Sequence, residues 1–343
     1  MKALLLSAYK QLDIVDMPAP KPAPDELLIR IRACGICGSD VHGYDGSTGR
    51  RLPPVVMGHE AAGVVEAVGS AVESFRAGDR VTFDSTVYCG KCFYCLRGQI
   101  NLCDHREVIG VSTPAFRRMG AFAEFVTVPA RIAYALPDNL TFAHAALIEA
   151  VSVAVHAVSL TPVAMEDTAV IVGAGMIGLL TLQAVRQAGA GRVFVLDVDD
   201  TRLELARRLG ATETFNSRNA DVVPQILALT MGRGADVALE CAGATAPVKL
   251  ALDSVRKGGT VTLIGNVAPT IELGLQSTVT RQIRLQGSCA SSGEYPACIS
   301  LMSRGAIQVE PLISAVVPLE DGASWFHRLY EREPGLLKVV LEP

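Results

Sequence analysis

Gly173-Ala174-Gly175-Met176-Ile177-Gly178 follows the apolar run 169–172 and opens a segment of helical periodicity, Met176–Gln187. Glycines at this spacing allow a tight turn, close approach of the backbone to a pyrophosphate, and close packing of helix on strand. The helix that follows offers N–H groups and the positive end of its dipole to an anion. A second apolar run, 193–196, ends in Asp197, about twenty residues further on, where a carboxylate can bind the ribose hydroxyls of a dinucleotide. Gly173, Gly175, Met176, Ile177, Gly178 and Asp197 therefore read as a dinucleotide site. An acid at position 197 repels a 2′-phosphate and favours NAD over NADP, while Arg192 and Arg202 nearby in sequence keep the phosphorylated cofactor open.

Outward from this motif, strand and helix signals alternate. Helices are expected over 201–209, 223–230 and 246–255, and strands over 237–239 and 260–264, a pattern that implies a doubly wound parallel sheet. The run 150–160 reads as a buried helix entering this region. Upstream, residues 1–150 read as a β-rich domain, with strands over 27–33, 61–68, 79–83 and 121–128. Four prolines within 17–25 exclude a helix interior and mark a surface turn. After residue 286 the pattern weakens, and a final apolar strand over 337–341 suggests that the tail returns to the first domain. The expected organisation is thus 1–150, 151–286, and a return over 287–343.

Composition narrows the function. With 35 Asp and Glu against 31 Lys and Arg, a net charge of −4 and no basic run longer than two, the chain lacks the electrostatic footprint of a nucleic-acid binder. The apolar stretch 3–6 is too short for a signal-peptide core, and no segment supplies the roughly 20 apolar residues of a membrane span. The cytoplasm is the expected address, with neither nucleic acid nor membrane as a partner.

Nine cysteines are too sparse for a disulfide scaffold, but Cys89, Cys92, Cys95 and Cys103 fall within fifteen residues. Four thiolates on one short loop match the tetrahedral preference of Zn2+ and leave no coordination position open, so this site reads as structural. A second set is scattered: Cys37, Ser39, Asp40 and His42, then His59 and Glu60, then Glu149. Cys, His and Glu are donors a catalytic zinc accepts. The same residues also admit a buried cysteine, a Cys34–Cys37 redox pair, or a packed histidine, and local spacing does not choose among these.

The pieces Gly35-Ile-Cys37-Gly-Ser-Asp40, Gly58-His-Glu-Ala-Ala-Gly63, Gly78-Asp-Arg-Val81, the four-cysteine lobe and Gly173 to Gly178 occur in one order over nearly the whole chain. In that order the sequence resembles the zinc-dependent medium-chain dehydrogenases, and among them the polyol (sorbitol and galactitol-1-phosphate) type. The resemblance implies a GroES-like catalytic domain interrupted by a Rossmann domain, with an active site in the cleft between them. It implies Cys37 and His59 as catalytic zinc ligands, Glu60 as a ligand or as a group that exchanges with water, and Glu149 as the acid that binds the metal or its water. The family's acid is usually followed by Pro, whereas Ala150 stands here. It further implies a proton relay from Ser39 through the nicotinamide ribose to His42.

The activity implied is zinc-dependent oxidation of a secondary hydroxyl of a polyol to a ketone, with NAD as hydride acceptor. Threonine, butanediol and sugar-phosphate dehydrogenases are the nearest alternatives, and a non-catalytic NAD-binding regulatory protein is the alternative from another class. Tyr44, Asp45, Ser47 and Thr48 are candidate contacts for several substrate hydroxyls, and Arg50 with Arg51 for a phosphate. Edge pairing through 283–288, as in the family's dimers, implies a homodimer or homotetramer.

Overall fold

The computed structural model describes residues 1–113, 117–218 and 221–343. They form two compact units, one of Met1–Glu149, Ser291–Ser303 and Val309–Pro343, the other of Ala150–Ala290 and Arg304–Gln308. No helix among the described residues is long and apolar enough to cross a membrane.

The first unit is built on a strongly non-local sheet. Its strands run in the order Ala133–Ala135, Arg80–Phe83, Glu60–Val68, Glu26–Gly35, Lys338–Glu342, Ile313–Pro318, and Phe125–Pro129 also pairs with Glu26–Gly35. Leu27, Ile29 and Ile31 alternate inward along the central strand and are buried with Val65, Val81, Phe83 and Leu341. Gly35 is the register point that matters for chemistry, because it pairs with Glu60 on one side and with Val340 on the other. A Cβ at Gly35 would lie 2.4 Å from Glu60 Oε2, so the glycine makes room for that carboxylate. The proline-rich 17–25 segment joins Gln11–Asp16 to Glu26–Gly35 without forming an element of its own.

The expected strand over 121–128 begins only at Phe125. The backbone before it is used elsewhere: Gly120, Ala121 and Phe122 donate to the carbonyls of Val56, Gly58 and Met57 at 2.8–3.0 Å. This braces the turn that delivers His59. The helices Tyr295–Ser303 and Gly322–Tyr330 lie in the tail where the sequence pattern was weak.

The second unit is a six-stranded, wholly parallel sheet in the order Glu213–Asn216, Arg192–Asp197, Thr168–Val172, Ala235–Glu240, Val255–Leu263, Arg284–Gly287. Thr168–Val172 is buried at every position, as a central parallel strand requires. The order reverses between Thr168–Val172 and Ala235–Glu240, the switch point where doubly wound sheets bind ligands. The last strand, Arg284–Gly287, is at one edge of the sheet, with no strand on its outer side among the described residues.

Candidate active site and zinc centres

Three donors from two segments converge in the first unit. Cys37 is the N-cap of helix Gly38–Gly43, and its Sγ accepts from the Ser39 N–H at 3.5 Å. His59 follows Gly58, whose φ of +92° sets the turn, and Glu60 begins the strand Glu60–Val68. The ligand atoms of Cys37, His59 and Glu60 lie within 4.8 Å of one another. His59 and Glu60 are buried, and Cys37 is partly so.

Around these donors runs a chain of charges. Asp40, fully buried, offers Oδ2 to His59 Nδ1 at 3.4 Å and Oδ1 to Arg51 Nη2 at 2.7 Å. Burial opposes ionisation of Asp40, yet the charges of His59 and Arg51 hold its carboxyl well below the usual range. Burial likewise works against a charged His59, but Asp40 and Cys37 raise its pKa well above the ordinary value. Glu60 faces Lys338, buried and 2.6 and 2.8 Å from its two carboxylate oxygens. Glu149 is buried at the start of helix Ile148–Ser159 and is not among the three convergent donors. Ser85 Oγ donates to it at 3.4 Å, and burial pushes its carboxyl up to about 7.

A soft thiolate, an imidazole and a carboxylate are a donor set that suits zinc. His59 Nδ1 and Asp40 Oδ2, buried and without a well-formed hydrogen bond, are the orphaned polar atoms such a centre would draw into order. Ser39 Oγ lies 3.4 Å from His59 Nε2, inside the same cluster. His42 is exposed on the last turn of the same helix.

The four-cysteine lobe fits zinc more closely still. The Sγ atoms of Cys89, Cys92, Cys95 and Cys103 lie within 4.8 Å of one another, with Cys89 to Cys95 at 4.0 Å and Cys92 to Cys103 at 3.9 Å. Zn–S bonds of about 2.3 Å in a tetrahedron require sulfur separations of about 3.8 Å. The Cys95 backbone N–H leads the donors that lower the Cys92 thiol to about 6.

In the second unit Gly173 (φ +99°) turns the chain out of its strand, and a Cβ at Gly178 would lie 1.8 Å from the Gly173 carbonyl oxygen. Gly175 is the N-cap of helix Met176–Gln187, and a Cβ there would meet open space, the cradle a phosphate needs. Asp197 closes the loop: its carboxylate accepts from the N–H of Ala174 at 2.5 Å, Val198 at 2.7 Å and Asp199 at 3.0 Å. Both Gly173 and Asp197 line a cavity of about 880 Å³ walled by Ser217, Pro224, Pro247 and Leu250. These features fit a dinucleotide. Arg192 is engaged by Thr168 Oγ1 and the Leu229 carbonyl, and Arg202 lies 3.7 Å from Asp199.

Several loop residues have other work. Asp45 accepts from Tyr330 Oη at 2.9 Å and from the Ser47 N–H, while Ser47 Oγ donates to the His42 carbonyl. Arg51, grouped with Arg50 as a phosphate contact by sequence, is 3% exposed and committed to Asp40. Lys338 is the member of the site that sequence reasoning missed, and the pairing of Asp40 with Arg51 and His59 was not foreseen although Asp40 and Arg51 were each named. The one available signal was a lysine inside an otherwise apolar terminal strand.

Comparison with known proteins agrees with both units. The family described as alcohol dehydrogenase GroES-like domain matches residues 23–138, and zinc-binding dehydrogenase matches 177–304. Sorbitol dehydrogenase of Bacillus subtilis is 35% identical, over 100% of this chain and 97% of that protein. Among solved structures, galactitol-1-phosphate dehydrogenase from Escherichia coli superposes with a TM-score of 0.92 at 28% identity over 100% of both chains. A zinc-binding dehydrogenase from Sinorhizobium meliloti, bound to NADP, gives 0.91 at 34% identity over 100% and 99%.

Proposed function

Since the chain belongs to the zinc-binding medium-chain alcohol and polyol dehydrogenases, we propose that it oxidises a secondary hydroxyl of a neutral polyol to a ketone, with NAD as acceptor. The observation that carries this reading is the convergence of Cys37, His59 and Glu60 beside the Ser39 hydroxyl. Cys37 and His59 would hold a catalytic zinc, with Glu60 as an exchanging ligand and Glu149 binding the metal or its water. Held there, the metal would supply the positive charge that lowers the pKa of a substrate hydroxyl. A nicotinamide dinucleotide held at Gly173 to Gly178 and Asp197 would supply the hydride acceptor. The protein's own groups manage the proton: Ser39 takes it from the substrate hydroxyl, and exposed His42 releases it to solvent.

Asp197 favours NAD over NADP, because its carboxylate would repel a 2′-phosphate and Arg192 is held elsewhere. Burial of Arg51 against Asp40 removes half of the arginine pair a phosphorylated substrate would use, and this supports a neutral polyol over a sugar phosphate. The relatives' names support a polyol but divide between neutral and phosphorylated ones, sorbitol dehydrogenase against galactitol-1-phosphate dehydrogenase, so the choice rests on Arg51. The open edge of Arg284–Gly287, with Leu275 and Val279 exposed on the preceding helix, supports pairing with a second copy, as a homodimer or within a homotetramer. A cytoplasmic address completes the reading.

The test is NADH formation on sorbitol, xylitol, galactitol, galactitol 1-phosphate, threonine and 2,3-butanediol, with NADP in parallel and zinc counted per chain. One dominant polyol with NAD and two zinc ions per chain supports the proposal. A single zinc and no turnover would favour a regulatory NAD-binding protein.

A further inference from the structure

Arg51 is an expensive residue to bury, and its contacts are specific. Its Nε and Nη2 donate to Asp40 Oδ1 at 3.1 and 2.7 Å, and Nη2 also donates to Ser39 Oγ at 3.3 Å. Helix Gly38–Gly43 is shaped for it: a Cβ at Gly43 would lie 2.4 Å from Arg51 Cγ, so glycine gives the arginine stem its path. A planar fork holds these two acceptors with donors in fixed directions, whereas a lysine ammonium on a flexible stem has no fixed pair of donors.

The consequence falls on Ser39. A serine hydroxyl has one hydrogen and two acceptor lone pairs. With one lone pair filled by Arg51, and with the His59 Nε2 that lies 3.4 Å away given to the metal, the hydroxyl would retain one site to accept a proton and one hydrogen to give, which is the state a relay group needs. We propose that Arg51 is a positioning residue for proton transfer, fixing the Ser39 hydroxyl so that it accepts from substrate and donates away from it. The inference rests on the dehydrogenase reading above, and it adds a residue to that reaction without touching the reacting atoms.

The experiment is a double-mutant cycle on the zinc-loaded holoenzyme with NAD and whichever of sorbitol, xylitol and 2,3-butanediol is turned over fastest. Ser39→Ala is expected to lower kcat about 100-fold. Arg51→Lys, which keeps the charge beside Asp40, is expected to lower kcat about 30-fold while KM for NAD stays within about 2-fold. Zinc should remain at two per chain in every variant. In the Ser39→Ala background, Arg51→Lys should cost no more than about 3-fold further, because the group it acts through is gone.

Multiplicative losses in the double variant would overturn the inference, as would loss of zinc in Arg51→Lys, which would show that it acts through Asp40 and His59. Should the lysine variant fail to fold, Arg51→Gln completes the same cycle. A wild-type rate in Ser39→Ala, or no turnover of all three alcohols, would overturn the relay reading and the inference together. Additivity alone overturns only the inference.

Discussion

Lys338 places its ammonium 2.6 and 2.8 Å from the two carboxylate oxygens of Glu60, a residue 278 positions away, and 3.0 Å from the carbonyl of Ile36. Both side chains are buried. The pairing follows from Gly35, whose strand neighbours are Glu60 and Val340. Lys338→Met would leave Glu60 buried without its partner, and such a change costs about 3–5 kcal/mol. Lys338→Met with Glu60→Leu removes both charges and should recover most of that loss. Chemical denaturation of the three proteins checks it, and a single variant as stable as wild type would show that Glu60 does not depend on Lys338.

Cys37→Ala and His59→Ala are expected to remove one zinc per chain and abolish turnover, while NADH binding followed by fluorescence persists. The donor set and the glycine loop belong to separate units, so one can be emptied without the other. Turnover by either variant at a rate near wild type would refute the assignment.

Cys92→Ser should also remove one zinc, but with a different outcome. A closed four-sulfur site contributes to local folding, so the variant should melt earlier and be cleaved by protease within 89–103. Unchanged zinc content would contradict a metal-holding lobe.

What was legible in the sequence was local. The loop Gly173 to Gly178 and Asp197 lie on adjacent strand ends, and the four cysteines lie on one lobe, so spacing carried their geometry. Alternation and glycine placement likewise carried the β-rich and doubly wound fold classes. The charge chain was not legible, because Arg51, Asp40 and Lys338 acquire meaning only when strand register brings distant residues together. An arginine beside another arginine reads as a phosphate contact until its neighbours in space are known. The strand expected over 121–128 began late for a related reason: its first backbone donors brace the Gly58 turn rather than a ladder.

Asp197→Ala should weaken use of NAD by about 10- to 100-fold in kcat/KM, the worth of a hydrogen bond to a charged group. The ratio of NADP to NAD use should rise at the same time, since the repelling carboxylate is gone. Steady-state kinetics with both cofactors decides this. An unchanged ratio would show that Asp197 serves only the loop backbone through Ala174.

Asp84 gives a pH dependence whose sign is fixed. It is 2% exposed, accepts from the Thr86 N–H at 2.8 Å and from Ser291 Oγ at 3.3 Å, and burial pushes its carboxyl up to about 6. Tyr134, Tyr295 and Glu149 share its electrostatic surroundings, and none supplies a positive charge. The folded state therefore binds the Asp84 proton more tightly than the unfolded chain. Its contribution is fully favourable below the ordinary carboxyl pKa, near 4, and is lost as pH rises through about 6. At 1.36 kcal/mol per pKa unit, the ionised group costs on the order of 3 kcal/mol at neutral pH. Asp84→Asn retains an acceptor for Thr86 and cannot ionise. It should be more stable than wild type at pH 8, with the difference shrinking toward pH 4. Denaturation curves at the two pH values check this, and a difference that grows on acidification would mean that Asp84 is held as a carboxylate.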